Sequence, residues 1–356
     1  MNSKKDKYFS HHLLEWNRKL NRRLMPWKGE KDPYKIWLSE IILQQTRVDQ
    51  GMEYYTRYVK KYPTIKKLAA AAETEVFKFW EGLGYYSRCK NLIATAKFIA
   101  SELNGKFPDT YEDILKLKGV GPYTAAAIAS FAYNLPYAVL DGNVMRVLAR
   151  YFGISTPIDS TEGKKYFTSL ANRLLVKDEA AHYNQAIMDF GATVCKPQLP
   201  LCSQCTLIKE CSAYKENGIE KYPVKENKLI KRDRWFYYVV ASYKDFYFVR
   251  KRSQKDIWQN LHEFILIEMN KPVEVKKLLS GETFIKTIGK NYKLLGISKT
   301  YKQQLTHQTI HGCFILIKMT KKIVAGGYEL MEKSKMQELA FPRFITGWFE
   351  DEKDVL

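Results

Sequence analysis

The chain of 356 residues lacks any run of eighteen uninterrupted apolar residues, so no stretch of it reads as a membrane-spanning helix. Its opening, Met1 to Leu20, has neither the apolar core nor the small-residue cleavage site of a secretory signal. Internal repeats and low-complexity tracts are absent. Acidic residues are comparatively few: 38 Asp and Glu stand against 58 Lys and Arg, a formal charge of +20. That surplus favours a polyanionic partner, because each phosphate neutralised releases counterions. Nucleic acid leads, an anionic membrane surface trails, and a merely soluble Lys-rich surface is the plain alternative. Cysteines are also few, and four of the six fall between Cys195 and Cys211. In a chain expected in the cytoplasm that clustering argues for metal ligation over disulfides.

An apolar content of 46% with 14% aromatics excludes disorder, and the length suits two domains. From about Trp16 to Cys211 apolar residues recur at helical spacing, as in Ile36, Trp37, Ile41 and Ile42. The polar stretch 216–234 reads as a linker. Beyond it come aromatic and β-branched runs: Trp235 to Ser242 and Phe246 to Val249, joined at Tyr243-Lys244-Asp245, predict a hairpin. Phe314 to Met319 reads as a further strand and Val273 to Leu279 as a short helix, making the second domain α+β. The expected division is therefore a helical domain over 1–215, a linker over 216–234 and an α+β domain over 235–356.

Four constellations carry chemistry. Cys195, Cys202, Cys205 and Cys211 can ligate zinc or a cubane iron-sulfur cluster, and only Cys202 and Cys205 form the tight pair typical of zinc, so the spacing favours the cluster. Lys118-Gly119-Val120-Gly121-Pro122-Tyr123 looks like a helix-hairpin-helix turn, in which Gly119 and Gly121 permit close approach and the free N–H groups of the next helix can take a phosphate; the bland reading is simply a turn. Asp141, ahead of a helical run, reads as an N-cap, and a helix N-terminus also suits a carboxylate that must stabilise a cationic sugar. Glu40 shares a helical face with Ile36, Trp37, Leu43 and Gln44, where desolvation would raise its pKa and let it donate a proton; the alternative is a Glu at the edge of an apolar stripe, reaching water.

Taken together, these residues resemble the adenine DNA glycosylases of the MutY family, within the helix-hairpin-helix superfamily that includes endonuclease III. The motifs are Pro26-Trp27, Trp37 to Thr46, Gly82 to Arg88, the hairpin, Leu140 to Val144 and the cysteine loop. The resemblance implies an all-α glycosylase domain with a 4Fe-4S cluster loop over 195–211, followed by a Nudix-like domain. It implies that Glu40 protonates adenine, that Asp141 supports an oxocarbenium-like sugar, and that Tyr123 and Asn143 line the sugar side. Trp27 and Lys28 would face adenine, Gln45 would lie by the opened pair, and Tyr86 would wedge beside the lesion. Lys28 stands where some relatives have Arg. Tyr123 stands where lyase relatives carry a Schiff-base lysine, so a monofunctional enzyme is expected.

No Nudix box of clustered carboxylates is present. Leu305-Thr306-His307 stands where the family usually has Phe-Ser-His or Phe-Thr-His, and would inspect the opposite base. The implied substrate is double-stranded DNA with adenine opposite 8-oxoguanine or guanine. The expected setting is a monomer in the cytoplasm at a bacterial nucleoid, with no membrane partner. The competing readings are an endonuclease III-like glycosylase/lyase for oxidised pyrimidines and a non-catalytic lesion sensor; Tyr123 argues against the first, and the pair Glu40 and Asp141 against the second.

Overall fold

The computed structural model describes residues 3–226 and 231–352. They form two compact units, one of residues 3–70 and 91–226, the other of 71–90 and 231–352. Of the expected linker, residues 227–230 lie outside the described residues, while Arg232 to Arg234 already belong to the first strand of the second unit.

The first unit is helical. Its chain runs through α1 (Lys4–Lys19), α2 (Pro33–Leu43), α3 (Val48–Lys61) and α4 (Ile65–Ala70). After α5 (Glu73–Phe79), which belongs to the second unit, come α6 (Tyr86–Glu102), which enters the first unit at Asn91, α7 (Tyr111–Leu115), α8 (Pro122–Tyr133), α9 (Gly142–Phe152), α10 (Thr161–Leu174), α11 (Ala180–Thr193) and α12 (Ser212–Lys215). Local chemistry sets the starts of the helices that matter for function. Asp32 caps α2, with Pro33 at its first position. Pro122 opens α8 directly after Gly121, and Asp141 caps α9 by accepting from the Val144 amide. Helix α11 packs against α1, α8 and α9, and α2 against α8, around a core that includes Trp16, Val147, Phe167 and Phe190. The rings of Trp16 and Phe190 meet perpendicular to one another at 4.9 Å between centroids.

The expected hairpin between α7 and α8 is present. Gly119 sits at φ +81°, and a Cβ there would lie 2.7 Å from the Asn91 Cβ, so both its conformation and its close approach require glycine. The Thr95 hydroxyl fixes the turn by donating to the Lys118 carbonyl at 2.9 Å.

The second unit is a mixed seven-stranded sheet with β1 (Arg232–Tyr243), β2 (Phe246–Lys251), β3 (His262–Met269), β4 (Tyr292–Ile297), β5 (Tyr301–Gln304), β6 (Gln308–Met319) and β7 (Glu329–Glu332). The order is β4-β6-β1-β3-β2-β7, with β5 also on β6. Central β1 runs parallel to β6 and is buried on both faces, which explains its unbroken apolar run. The expected hairpin of β1 and β2 closes only at its tip, through Ser242 with Tyr247 and Tyr243 with Phe246. Farther along, β3, which the sequence pattern did not single out, inserts between them and pairs with both.

The predicted short helix is α13 (Val275–Leu279). Helix α14 (Glu282–Ile288) covers one face through Phe284 and Ile288. After α15 (Lys333–Met336), α16 (Arg343–Asp351) covers the other face, stacking Trp348 on Phe314 at 4.2 Å.

The parallel pair β1 and β6 tolerates no side chain at Gly312, whose Cβ would lie 1.9 Å from the Phe236 carbonyl oxygen. Gly312→Ala is therefore expected to destabilise the sheet unit by about 1–3 kcal/mol or more through overpacking, seen as a lowered melting temperature. An unchanged melt would refute the tight pairing.

Candidate active site

Two carboxyls and a phenol converge in the helical unit. Glu40, on α2, is buried at 6% exposure among Ile36, Trp37 and Ile41. Burial pushes its pKa up to about 7; the hydroxyl of Tyr123, hydrogen-bonded to the carboxyl, pulls it down, and the negative charge of Asp141 adds to the rise. Tyr123 stands one residue into α8, which is why the hairpin sequence delivers it here; burial, then the two carboxylates, raise its own pKa well above the usual phenol.

Asp141 does two things at once. Its Oδ1 accepts from the Val144 amide at 2.7 Å as the cap of α9, and its Oδ2 accepts from the Asn143 amide side chain at 2.8 Å. The N-cap and the functional readings of this residue are thus compatible. Asn143 in turn accepts from Arg146 Nη2 at 2.8 Å; the same nitrogen donates to the Gly191 carbonyl at 2.8 Å, and Nε to the Cys195 carbonyl at 2.9 Å. A continuous set of hydrogen bonds therefore runs from the cysteine loop to Asp141.

These groups open into a cavity of about 910 Å³. Of the residues singled out in the sequence, Trp27, Lys28, Glu40, Gln45, Tyr123, Asp141 and Asn143 line it. Gln44, read from the sequence only as a neighbour of Glu40, lines it as well, as do Arg23, Gln185, Met188 and Asp189, which the sequence reading missed. A signal existed for Asp189: an acidic residue inside the otherwise apolar run Ala186 to Phe190. Lys28 does not simply face the cavity, for its ammonium lies 3.0 Å from the Asp189 carboxylate. Trp27 packs edge-on against Tyr55 at 5.3 Å.

Gly119 and Gly121 do not line the cavity; they form the turn ahead of Tyr123, and a Cβ on Gly121 would meet nothing within 4 Å, which leaves the start of α8 accessible. Leu305, Thr306 and His307 form the turn between β5 and β6 in the sheet unit. Residues 71–90 belong to that same unit, and there the Tyr85 hydroxyl contacts the Thr306 hydroxyl. Tyr86, expected to wedge beside the lesion, is buried at 5% exposure, with its hydroxyl accepting from the Gly82 amide at 3.3 Å, so its ring is not presented to solvent. The ring this segment presents to solvent is Tyr85, 42% exposed, over which the Arg88 guanidinium lies at 5.6 Å.

The four loop cysteines are all partly exposed free thiols, and Cys195, Cys205 and Cys211 pack against the helical core. Arg150 donates to the Cys195 sulfur at 3.6 Å, and the Cys211 thiol to the Arg150 carbonyl at 3.5 Å. Burial pushes the Cys205 thiol up to about 12, the Leu207 amide opposes the rise, and the nearby Cys195, Cys211 and Cys202 add to it. The donor set, four thiols on one loop with the Arg150 guanidinium beside Cys195, is chemically suited to a group bound by thiolates. Among the described residues, no set of three His, Cys, Asp or Glu side chains is arranged to hold a metal ion.

Residues 38–173 match the HhH-GPD superfamily of base excision DNA repair proteins. A thermostable thymine-DNA glycosylase of known structure is 31% identical, with a TM-score of 0.56 over 60% of this chain and 98% of that one. Endonuclease III in a non-covalent DNA complex shares the fold at 21% identity and a TM-score of 0.52, over 61% of this chain and 99% of its own. The adenine DNA glycosylase of Buchnera aphidicola from Schizaphis graminum is 34% identical over 312 residues, spanning 88% of each chain. With its paired carboxyls, its hairpin and a likeness that runs through both units, the chain belongs to the adenine DNA glycosylase family.

Proposed function

We propose that this protein excises adenine from mispaired duplex DNA by hydrolysing its N-glycosidic bond as a step of base excision repair, with Glu40 as acid and Asp141 as the stabiliser of the sugar cation. The observation that carries this reading is the contrast between two neighbouring carboxyls: Glu40 is raised to about 7 in a dry site, while Asp141 has both oxygens met by N–H donors at the start of α9. Glu40 delivers its proton to the flipped base and so improves the leaving group. The Asp141 carboxylate faces the positive charge that develops on the sugar, and the set of hydrogen bonds through Asn143 and Arg146 keeps it in place. With Tyr123 rather than an amine beside the sugar, water completes the reaction and no Schiff base forms. Glu40, Asp141, Tyr123 and Asn143 are the residues assigned to chemistry, and Trp27, Lys28 and Gln45 to the base and the opened pair.

Cys195, Cys202, Cys205 and Cys211 would hold a 4Fe-4S cluster. Bound there, the cluster would brace the loop and, with Lys196 and Lys209 on it, present positive charge to a DNA backbone. Gly119 and Gly121 would admit a phosphate at the start of α8. The sheet unit, on this reading a Nudix-like lesion-recognition domain, would inspect 8-oxoguanine or guanine opposite the adenine through Leu305, Thr306 and His307, with Tyr85 rather than Tyr86 as the ring that enters the stack. A monomer acting on double-stranded DNA suffices for all of this. Among the described residues no helix is long and apolar enough to cross a membrane.

Glu40→Gln and Asp141→Asn are each expected to reduce single-turnover adenine release to background while duplex affinity stays within a few-fold, because neither residue is assigned a phosphate. Equal loss of binding would overturn the assignment, and release of thymine glycol instead of adenine by the wild type would replace the substrate. Since the acid must be protonated to work, the release rate should fall as pH rises through about 7; a rate that climbs through that range would rule out Glu40 as the acid. Replacing Thr306 and His307 together by alanine should lower the ratio of release opposite 8-oxoguanine to release opposite guanine more than it slows either reaction, and a constant ratio would remove this turn from lesion recognition.

A further inference from the structure

One wall of the cavity, residues 21–28, contains neither helix nor strand, yet it carries Trp27 and Lys28. Three of its side chains converge on a single carboxylate. Asp189, on α11, is 0% exposed, and both of its oxygens are occupied by this wall. Oδ1 accepts from Arg23 Nη1 at 2.9 Å; Oδ2 accepts from Asn21 Nδ2 at 2.8 Å and from Lys28 Nζ at 3.0 Å. The donors are knitted together as well: Lys28 Nζ also donates to the Arg23 carbonyl at 3.0 Å, and the Arg23 amide to Asn21 Oδ1 at 3.0 Å. A fully buried carboxylate is held by charge-assisted bonds from both ends of an eight-residue loop, which is how irregular backbone is fixed without a regular element.

The geometry points to Asp189 as the positioning residue of the base-binding wall: it clamps the 21–28 segment so that Trp27 stands against the flipped base, and its charge offsets one of the two positive charges of Arg23 and Lys28 in the cavity where positive charge develops on the sugar. The inference rests on the adenine-release reading above. Both effects act on the step in which the base leaves. Displacing a wall residue by about an ångström can cost about a hundredfold in rate. Without Asp189 the excess of one positive charge becomes two, and the added charge would oppose the same transition state that Asp141 stabilises.

The test compares Asp189→Asn with the wild-type holoprotein on two duplexes, one with adenine opposite 8-oxoguanine and one with a tetrahydrofuran abasic analogue at the adenine position. Single-turnover adenine release is expected to fall about a hundredfold, while affinity for the abasic duplex, which has no base to seat, changes by less than about threefold because Asp189 makes no phosphate contact in this reading. Asp189→Glu, which keeps the charge, should recover part of the rate, and in a Lys28→Met background Asp189→Asn should cost less than it does alone. Should Asp189→Asn fail to fold, Arg23→Gln carries the same comparison, with a smaller loss of release. Wild-type release by Asp189→Asn, equal loss on the abasic duplex, or an undiminished cost in the Lys28→Met background would each overturn the clamp. No adenine release by the wild type would instead overturn the functional reading itself.

Discussion

The site depends on a carboxyl held out of water beside a carboxylate held in a cage of N–H donors. Glu40 is dry because α2 presents it on an apolar face that packs against α8, and burial is the largest influence on its proton affinity. Asp141 is caged because it caps α9. Two like groups with different environments can divide acid and charge-stabilising roles only if they are close yet separately solvated. Tyr123, at the start of α8, hydrogen-bonds to Glu40 and lies within the field of both carboxyls. The hairpin turn is thus also the element that brings this residue to the two acids.

The support for Asp141 reaches well beyond its helix. Arg146 is nearly buried, and its guanidinium joins the Asn143 side chain, the end of α11 and the Cys195 carbonyl. Arg150, one turn later, ties the carbonyls of Lys196 and Pro197 to α9. The cysteine loop and Asp141 are consequently linked through Arg146, which the Cys195 carbonyl on the loop and the Gly191 carbonyl on α11 hold together against the Asn143 side chain.

In the sheet unit the same economy appears in another form. The segment 71–90, which in sequence interrupts the helical domain, folds with the sheet, where the Glu81 carboxylate accepts from the Phe341 amide at 2.8 Å and Lys78 donates to the Leu339 carbonyl at 2.9 Å. That arrangement brings Tyr85 to Thr306 across more than two hundred residues of sequence. An exposed aromatic ring and a hydroxyl therefore share one small surface.

Much of this was legible in one dimension, because the signals are local. Helix periodicity, Pro122 after a Gly-Val-Gly turn, Asp141 ahead of its helix, the cysteine spacing and the run of β1 each follow from short-range stereochemistry, and the structure realises them as helices, a hairpin turn, a cap, a single loop and a strand. Glu40 could be read as desolvated because its helical face is written in its neighbours at one-turn spacing. What tertiary structure alone decided are the long-range pairings. No local signal could reveal that β3 would separate β1 from β2, that Tyr85 and not Tyr86 would face solvent, or that residues 71–90 would join the sheet. Asp189 is the clearest case: sequence shows an acid in an apolar stretch, and only the fold brings Asn21, Arg23 and Lys28 to it. A buried charge is bearable only when its partners arrive, and partners more than 160 positions away in the chain are supplied by packing, not by pattern.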